Sequence, residues 1–243
     1  MQQKLMQTLP SPTRDSSPSL GLLATEPFRA AFEYASMRCM DTTGLARGDG
    51  HAVVIFPGLG TDRHATAPLR RFCKDLGYEA LDWGQGLNRG PSGDVARWLE
   101  GLAAKVDQMT QAHSGPISLI GWSLGGIYAR EVAKLLPQRV RRVLTIGSPF
   151  AGGAEQSNVG LIYRLLNGRA ADLDEALRQQ LLAPPPVPTT SIFSRSDGIV
   201  AWQACVQDGQ HRHVENIEVQ GSHCGLAWNP ASLEIIASRL ALG

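Results

Sequence analysis

Short apolar runs recur along the chain, and each stops at a glycine, a proline or a small polar residue. Ala52–Phe56 is a continuous, β-branched-rich run that halts at Pro57 and Gly58, the pattern of a strand buried on both faces of a parallel sheet. Runs of the same kind occupy Ile117–Ile120, Val143–Ile146 and Thr189–Phe193. Val214–Val219 alternates more, and the shorter Tyr78–Leu81 predicts a sixth strand. Helix-length segments separate most of them, at about Ala67–Leu76, Val95–His113, Leu124–Leu136 and Pro230–Leu240. The last has Asn229 placed to cap it and Pro230 in its first turn. Phe28, Phe32, Ala35 and Met37 form an approximate helical stripe ahead of the first strand. Strands alternating with helices imply right-handed crossovers, hence an α/β fold with a mostly parallel sheet covered on both faces.

Residues 151–188 break the alternation. Two short amphipathic stretches, one with Val159, Ile162, Leu165 and Leu166 on a face and one with Leu173, Ala176, Leu177 and Leu181, lead into the proline-rich exit Pro184–Pro188. Two readings fit this segment: ordinary packing helices, or a small helical cap with a stiff strap. At the other end, Pro10, Pro12 and Pro18 interrupt residues 1–24, which read as a mobile tail without the apolar core of a secretory signal. The expected organisation is one domain over 25–243, with the cap inserted.

Composition removes several classes of function. Hydrophobic residues make up 43% of the 243 and charged residues 19%, enough for a sizeable core and too little charge for a disordered chain. Lys plus Arg number 23 against 22 Asp plus Glu, so nucleic acid is not an expected partner. No apolar run approaches the roughly 18 residues of a membrane span, so no integral membrane segment is expected. Cys39, Cys73, Cys205 and Cys224 are too few and too dispersed for a disulfide framework and contain no CxxC pair. A cytoplasmic location is the expectation. Cys205 and Cys224 each follow a loop of the candidate site described next, and whether they pair stays open.

Gly121-Trp122-Ser123-Leu124-Gly125 joins the apolar run at Ile117 to a helical pattern, a G-x-S-x-G segment with both of its required flanks. A serine at the apex of so sharp a turn takes a strained backbone, and side chains two residues before or after it would strike neighbouring backbone. Ser123 is therefore the candidate nucleophile. A hydroxyl needs an imidazole to take its proton, and the imidazole needs a carboxylate to hold its tautomer. Asp197 follows the strand at Thr189–Phe193, and His223 follows the strand at Val214–Val219. Both thus belong at the carboxyl edge of the sheet with Ser123, in the chain order serine, acid, histidine. Asp208 lies farther from a strand end. His211 and His213 precede their strand, while His51 and His113 also come before strands and read as solvated. For a developing oxyanion, backbone N–H groups of Leu124 and of Leu59, within Phe56-Pro57-Gly58-Leu59-Gly60, are the expected donors.

These segments, FPGLG, GWSLGG, SRSDGIV and GSHCG in that order, resemble the α/β-hydrolase superfamily, and within it the bacterial lipase-like or esterase-like members. The resemblance runs from about Ala52 to Leu240. It departs from the full pattern in having one strand before the helix near Ala67, and in carrying Pro57 where many relatives have histidine. It implies an α/β-hydrolase fold of about six strands and a serine carboxylic-ester hydrolase working through an acyl-enzyme. Thioesterase or acyltransferase chemistry would use the same residues, and a noncatalytic binding protein is the alternative of a different class. Trp122, Phe150 and Ile199, with Leu59 and Trp83, are expected around the serine, a mostly apolar lining suited to a small-molecule ester. Gln85, Asn88 and Arg89 have two readings, contacts to a polar alcohol portion or, as the preferred one, solvated loop residues. No acidic ligand cluster, phosphate loop or dinucleotide fingerprint is present, so no cofactor or metal is implied.

Overall fold

The apolar runs pair side by side into one sheet in a computed structural model that describes residues 18–151, 175–209 and 211–242. The strands are β1 (Ala52–Phe56), β2 (Glu79–Asp82), β3 (Ile117–Trp122), β4 (Val140–Ile146), β5 (Thr189–Phe193) and β6 (Val214–Glu218). Their order is β2-β1-β3-β4-β5-β6, and every neighbouring pair is parallel. The continuous runs of β1, β3 and β5 are wholly buried, while edge strand β6 is half-buried or exposed throughout, as its alternating sequence requires.

Among the described residues there are six α-helices, α1 (Leu20–Arg38), α2 (Ala67–Asp75), α3 (Val95–Met109), α4 (Leu124–Leu135), α5 (Glu175–Leu182) and α6 (Pro230–Leu240), and one short 3-10 helix, Trp202–Cys205. Alternate strand residues feed two cores. Val54, Phe56, Leu119 and Val143 pack against α3 and α4 on one face, and Val53, Ile55, Ile120 and Leu144 pack against α2 and α6 on the other. Capping follows local chemistry. Asp94 Oδ1 accepts from Arg97 N at 2.8 Å to open α3, and Asn229 Oδ1 accepts from Ala231 N at 3.0 Å to open α6.

Helix α1 departs from its sequence pattern in extent and orientation. Residues 1–17 of the expected tail lie outside the described residues, but the helix begins at Leu20, where Ser19 Oγ accepts from Leu22 N. Phe28 and Phe32 are 77% and 74% exposed, whereas Glu26, Ala30 and Glu33 form the buried face. The usual amphipathic logic is inverted because the acidic face meets unpaired backbone N–H groups of two loops, which carboxylates satisfy and phenyl rings cannot.

Of the expected cap at 151–188, residues 152–174 lie outside the described residues. Its described end packs on the main core: Leu181 is buried there with Leu177 beside it, and Gln180 Nε2 donates to Glu131 Oε2 at 2.8 Å. Among the described residues no helix is long and apolar enough to cross a membrane.

Candidate active site

Ser123 sits between β3 and α4 with φ 54° and ψ −125°, and it alone among the described non-glycine residues has a positive φ. The strain persists because its surroundings leave no alternative. A Cβ on Gly121 would stand 2.3 Å from Gly125 O, and one on Gly125 would stand 2.4 Å from Phe56 O. The sequence reading overlooked Gly126, where a Cβ would lie 1.9 Å from Ser148 Oγ. Ser123 N donates to Ile146 O at 2.8 Å, which fixes the turn to β4.

Asp197, His223 and Ser123 form one row. His223 Nδ1 lies 2.7 Å from Asp197 Oδ2, and His223 Nε2 lies 3.0 Å from Ser123 Oγ. With the Nδ1 proton directed at the carboxylate, the neutral imidazole turns its Nε2 lone pair toward the serine hydroxyl. Asp197 also closes its own loop, since Oδ1 accepts from Ile199 N at 2.8 Å and Val200 N at 2.7 Å. Asp208 is exposed. Burial works against a charged His223, but the Asp197 charge, its hydrogen bond and the Glu26 charge outweigh it and hold the imidazole pKa above its ordinary value.

The loop after β1 lies directly against the serine. A Cβ on Gly58 would meet the Trp122 ring at 3.2 Å and Ser123 Cβ at 3.4 Å. Within the loop Pro57 has no N–H, Gly60 N donates to Asn88 O at 2.8 Å, and Thr61 N donates to Gly58 O at 3.2 Å. Gly58 and Leu59 are the donors that remain. Leu124 is the first residue of α4, so its N–H has no acceptor within the helix.

Several of the expected pocket residues are buried and engaged by the protein itself. Trp122 is 6% exposed, and its Nε1 donates to His223 O at 3.1 Å. Phe150 is buried with the Arg130 guanidinium 3.7 Å from its ring centroid. Trp83 is buried and stacked on Tyr128. Only Ile199 and Leu59 keep partial exposure. Asn88 is the sharpest correction, being wholly buried rather than solvated. Its Nδ2 donates to Pro57 O at 2.8 Å, its backbone pairs with Gly60 and Thr61, and Tyr128 Oη donates to its Oδ1 at 3.3 Å. It stitches the glycine loop to α4. Cys205 and Cys224 are free thiols, with Cys205 buried among Phe193 and Val200.

Glu26 and Glu33 escaped the sequence reading too. Glu26 Oε1 accepts from Gly198 N at 2.8 Å and His223 N at 2.9 Å, and Glu26 Oε2 accepts from Cys224 N at 3.1 Å. Glu33 accepts from Ser222 N at 2.7 Å and Ser222 Oγ at 2.6 Å. Their spacing of seven, with Ala30 between, was the available signal: two acids share a helix face with a small residue.

A second row of the same residue types lies at the opposite, amino edge. His51 Nε2 is 2.8 Å from Ser118 Oγ, and its Nδ1 is hydrogen-bonded to Asp49 Oδ1. His51 is thus an ordered, half-buried group rather than a solvated one. Ser118 is wholly buried inside β3, where the pairing with β4 shifts register, so a substrate has no approach to it. Among the described residues no group of three His, Cys, Asp or Glu side chains is arranged to hold a metal ion.

Comparison with known proteins agrees with the fold. The chain is 30% identical over 126 residues to a pimeloyl-[acyl-carrier protein] methyl ester esterase of a Shewanella species (strain MR-7), covering 50% of this chain and 44% of that protein. It is 32% identical over 119 residues to the serine hydrolase BPHL of Mus musculus, covering 46% and 41% respectively. It thus spans under half the length of these curated relatives. Among solved structures, lipase B of Aspergillus fumigatus superposes with a TM-score of 0.62 at 19% identity, over 85% of this chain and 57% of that one. A monoacylglycerol lipase of Paleococcus ferrophilus superposes at 0.56 and 15% identity, over 80% and 96%. Residues 53–236 match the sequence profile of the alpha/beta hydrolase family, and with the parallel sheet and the elbow at Ser123 this makes the chain a member of that family.

Proposed function

We propose that the protein is a serine carboxylic-ester hydrolase acting on neutral, partly hydrophobic acyl esters. The observation that carries this reading is the row Asp197, His223, Ser123, with contacts of 2.7 and 3.0 Å ending on a serine held at positive φ. His223 Nε2 takes the hydroxyl proton as Ser123 Oγ attacks the ester carbonyl, and Asp197 stabilises the resulting imidazolium. The N–H groups of Leu59 and Leu124 receive the oxyanion. Collapse of the tetrahedral intermediate expels the alcohol, protonated by His223, and leaves an acyl-enzyme. Water, deprotonated by the same imidazole, then releases the acid and restores Ser123. The esterase named among the relatives supports ester over other acyl chemistry.

The test is hydrolysis of a p-nitrophenyl ester series, an acyl-thioester series and labelling by a fluorophosphonate. Ester turnover should exceed thioester turnover, and the label should map to Ser123. Ser123→Ala should abolish labelling and lower turnover by roughly four orders of magnitude or more while the protein stays folded. A label on another serine, or a clear preference for thioesters, overturns the reading.

A further inference from the structure

The family match begins at residue 53, so α1 lies wholly ahead of it. Yet this helix supplies the group that connects the two loops of the site. Gly198 belongs to the Asp197 loop, and His223 and Cys224 belong to the loop after β6. All three backbone N–H groups end on the one carboxylate of Glu26, which is 3% exposed. The approach is close enough to dictate neighbouring residues, since a Cβ on Gly198 would stand 2.6 Å from Leu22 C of α1. His223 is consequently pinned at both backbone groups, its N–H by Glu26 and its carbonyl by Trp122.

We propose that Glu26 is a positioning residue for the Asp197–His223 pair: one buried carboxylate ties the two loops together and sets the field in which the imidazole works. The role in catalysis rests on the ester-hydrolase reading, whereas the effect on His223 does not. Two consequences follow from the geometry. Replacing the carboxylate by an amide leaves one oxygen for Gly198 N and His223 N but sets an NH2 donor against Cys224 N, so the loop that carries His223 loses an acceptor and the pair loses register. It also removes a negative charge whose carboxylate bonds the His223 backbone directly, which makes the imidazolium less favourable. The other charged or titratable groups around the imidazole are Asp197, Arg29 with Nη1 3.7 Å from Glu26 Oε1, Glu33 on Ser222, and Cys224, whose thiol burial and Glu26 push up to about 11.

Glu33 provides the control, because it holds the same loop from the same helix but bonds Ser222, one residue before His223. NMR titration of the His223 imidazole in the full chain should show a midpoint lowered by about half a pH unit or more in Glu26→Gln. Glu33→Gln should lose thermal stability with that midpoint unmoved. On a short ester, Glu26→Gln should lower kcat at least tenfold with KM nearly unchanged. A folded Glu26→Gln protein with an unmoved midpoint and kcat within twofold of the parent overturns the inference, as does an equal shift in Glu33→Gln. If Glu26→Gln does not fold, Glu26→Asp decides the matter. It keeps the charge and shortens the reach by one methylene, so the midpoint stays raised while kcat falls, and full kcat overturns the inference. The titration reads His223 whether or not esters are turned over. Failure of the ester-hydrolase reading shows separately, as a parent protein without ester turnover.

Discussion

Trp122 and His223, far apart in the chain, are joined by a 3.1 Å hydrogen bond from the indole Nε1 to the backbone carbonyl of the histidine. The residue immediately before the candidate nucleophile therefore holds the loop of its candidate base. Trp122 also packs its ring 6.0 Å from the imidazole centroid and 6.4 Å from that of Trp228, so it is fixed from both sides.

Trp122→Phe keeps most of the packing and removes the donor. The His223 carbonyl is then left buried and unpaired, at a cost of about 1–3 kcal/mol. We expect a lower thermal midpoint and a fall in kcat, measured on the same ester. An unchanged kcat would show that the carbonyl finds another partner without moving the ring.

Asp197 and Asp208 separate cleanly. Asp197→Asn should lower kcat by about three to four orders of magnitude, because an amide no longer fixes the imidazole tautomer. Exposed Asp208→Asn should change it less than about twofold. A larger loss at Asp208 would refute the assignment of the acid.

The pH dependence has a definite sign. Neutral His223 is the form that accepts the serine proton, and its pKa lies above the ordinary histidine value of about 6.5. The kcat/KM of a non-ionising ester should therefore rise with pH through a midpoint above that value. Stability moves the other way: a raised imidazole pKa favours the folded state while His223 is protonated, and that contribution is lost as pH climbs through the folded midpoint. An acid limb below about pH 6 would contradict the dominance of Asp197 and Glu26 over burial.

Asn88→Ala removes the side-chain stitch between Pro57 O and Tyr128 and leaves buried polar groups behind. Stability should fall by about 1–3 kcal/mol. If Leu59 donates to the oxyanion, kcat should fall at least tenfold with KM little changed, because the loop matters most when negative charge develops. A stability loss with kcat intact would remove the glycine loop from the chemistry.

What could be read from the chain alone was local or periodic. The elbow at Ser123 is legible because its glycines are demanded by atoms within a few residues or on the adjoining strand, and the parallel sheet because doubly buried strands are continuously apolar. Asp197 and His223 could be placed together because consecutive parallel strands deliver the loops after them to one edge, and their contact lies there. The supports were not legible, since each is defined by backbone far away in the chain. Glu26 meets Gly198 and His223 at separations of 172 and 197 residues, and the shared face of Glu26, Ala30 and Glu33 in α1 marks an unusual surface without saying which N–H groups it meets. For the same reason Phe28 and Phe32, the obvious apolar stripe, face outward while two acids face in. Asp49, His51 and Ser118 carry the same chemical types as the candidate site, and tertiary structure alone sets them apart: Ser118 lies sealed inside a strand, and Ser123 stands strained at the sheet's open edge.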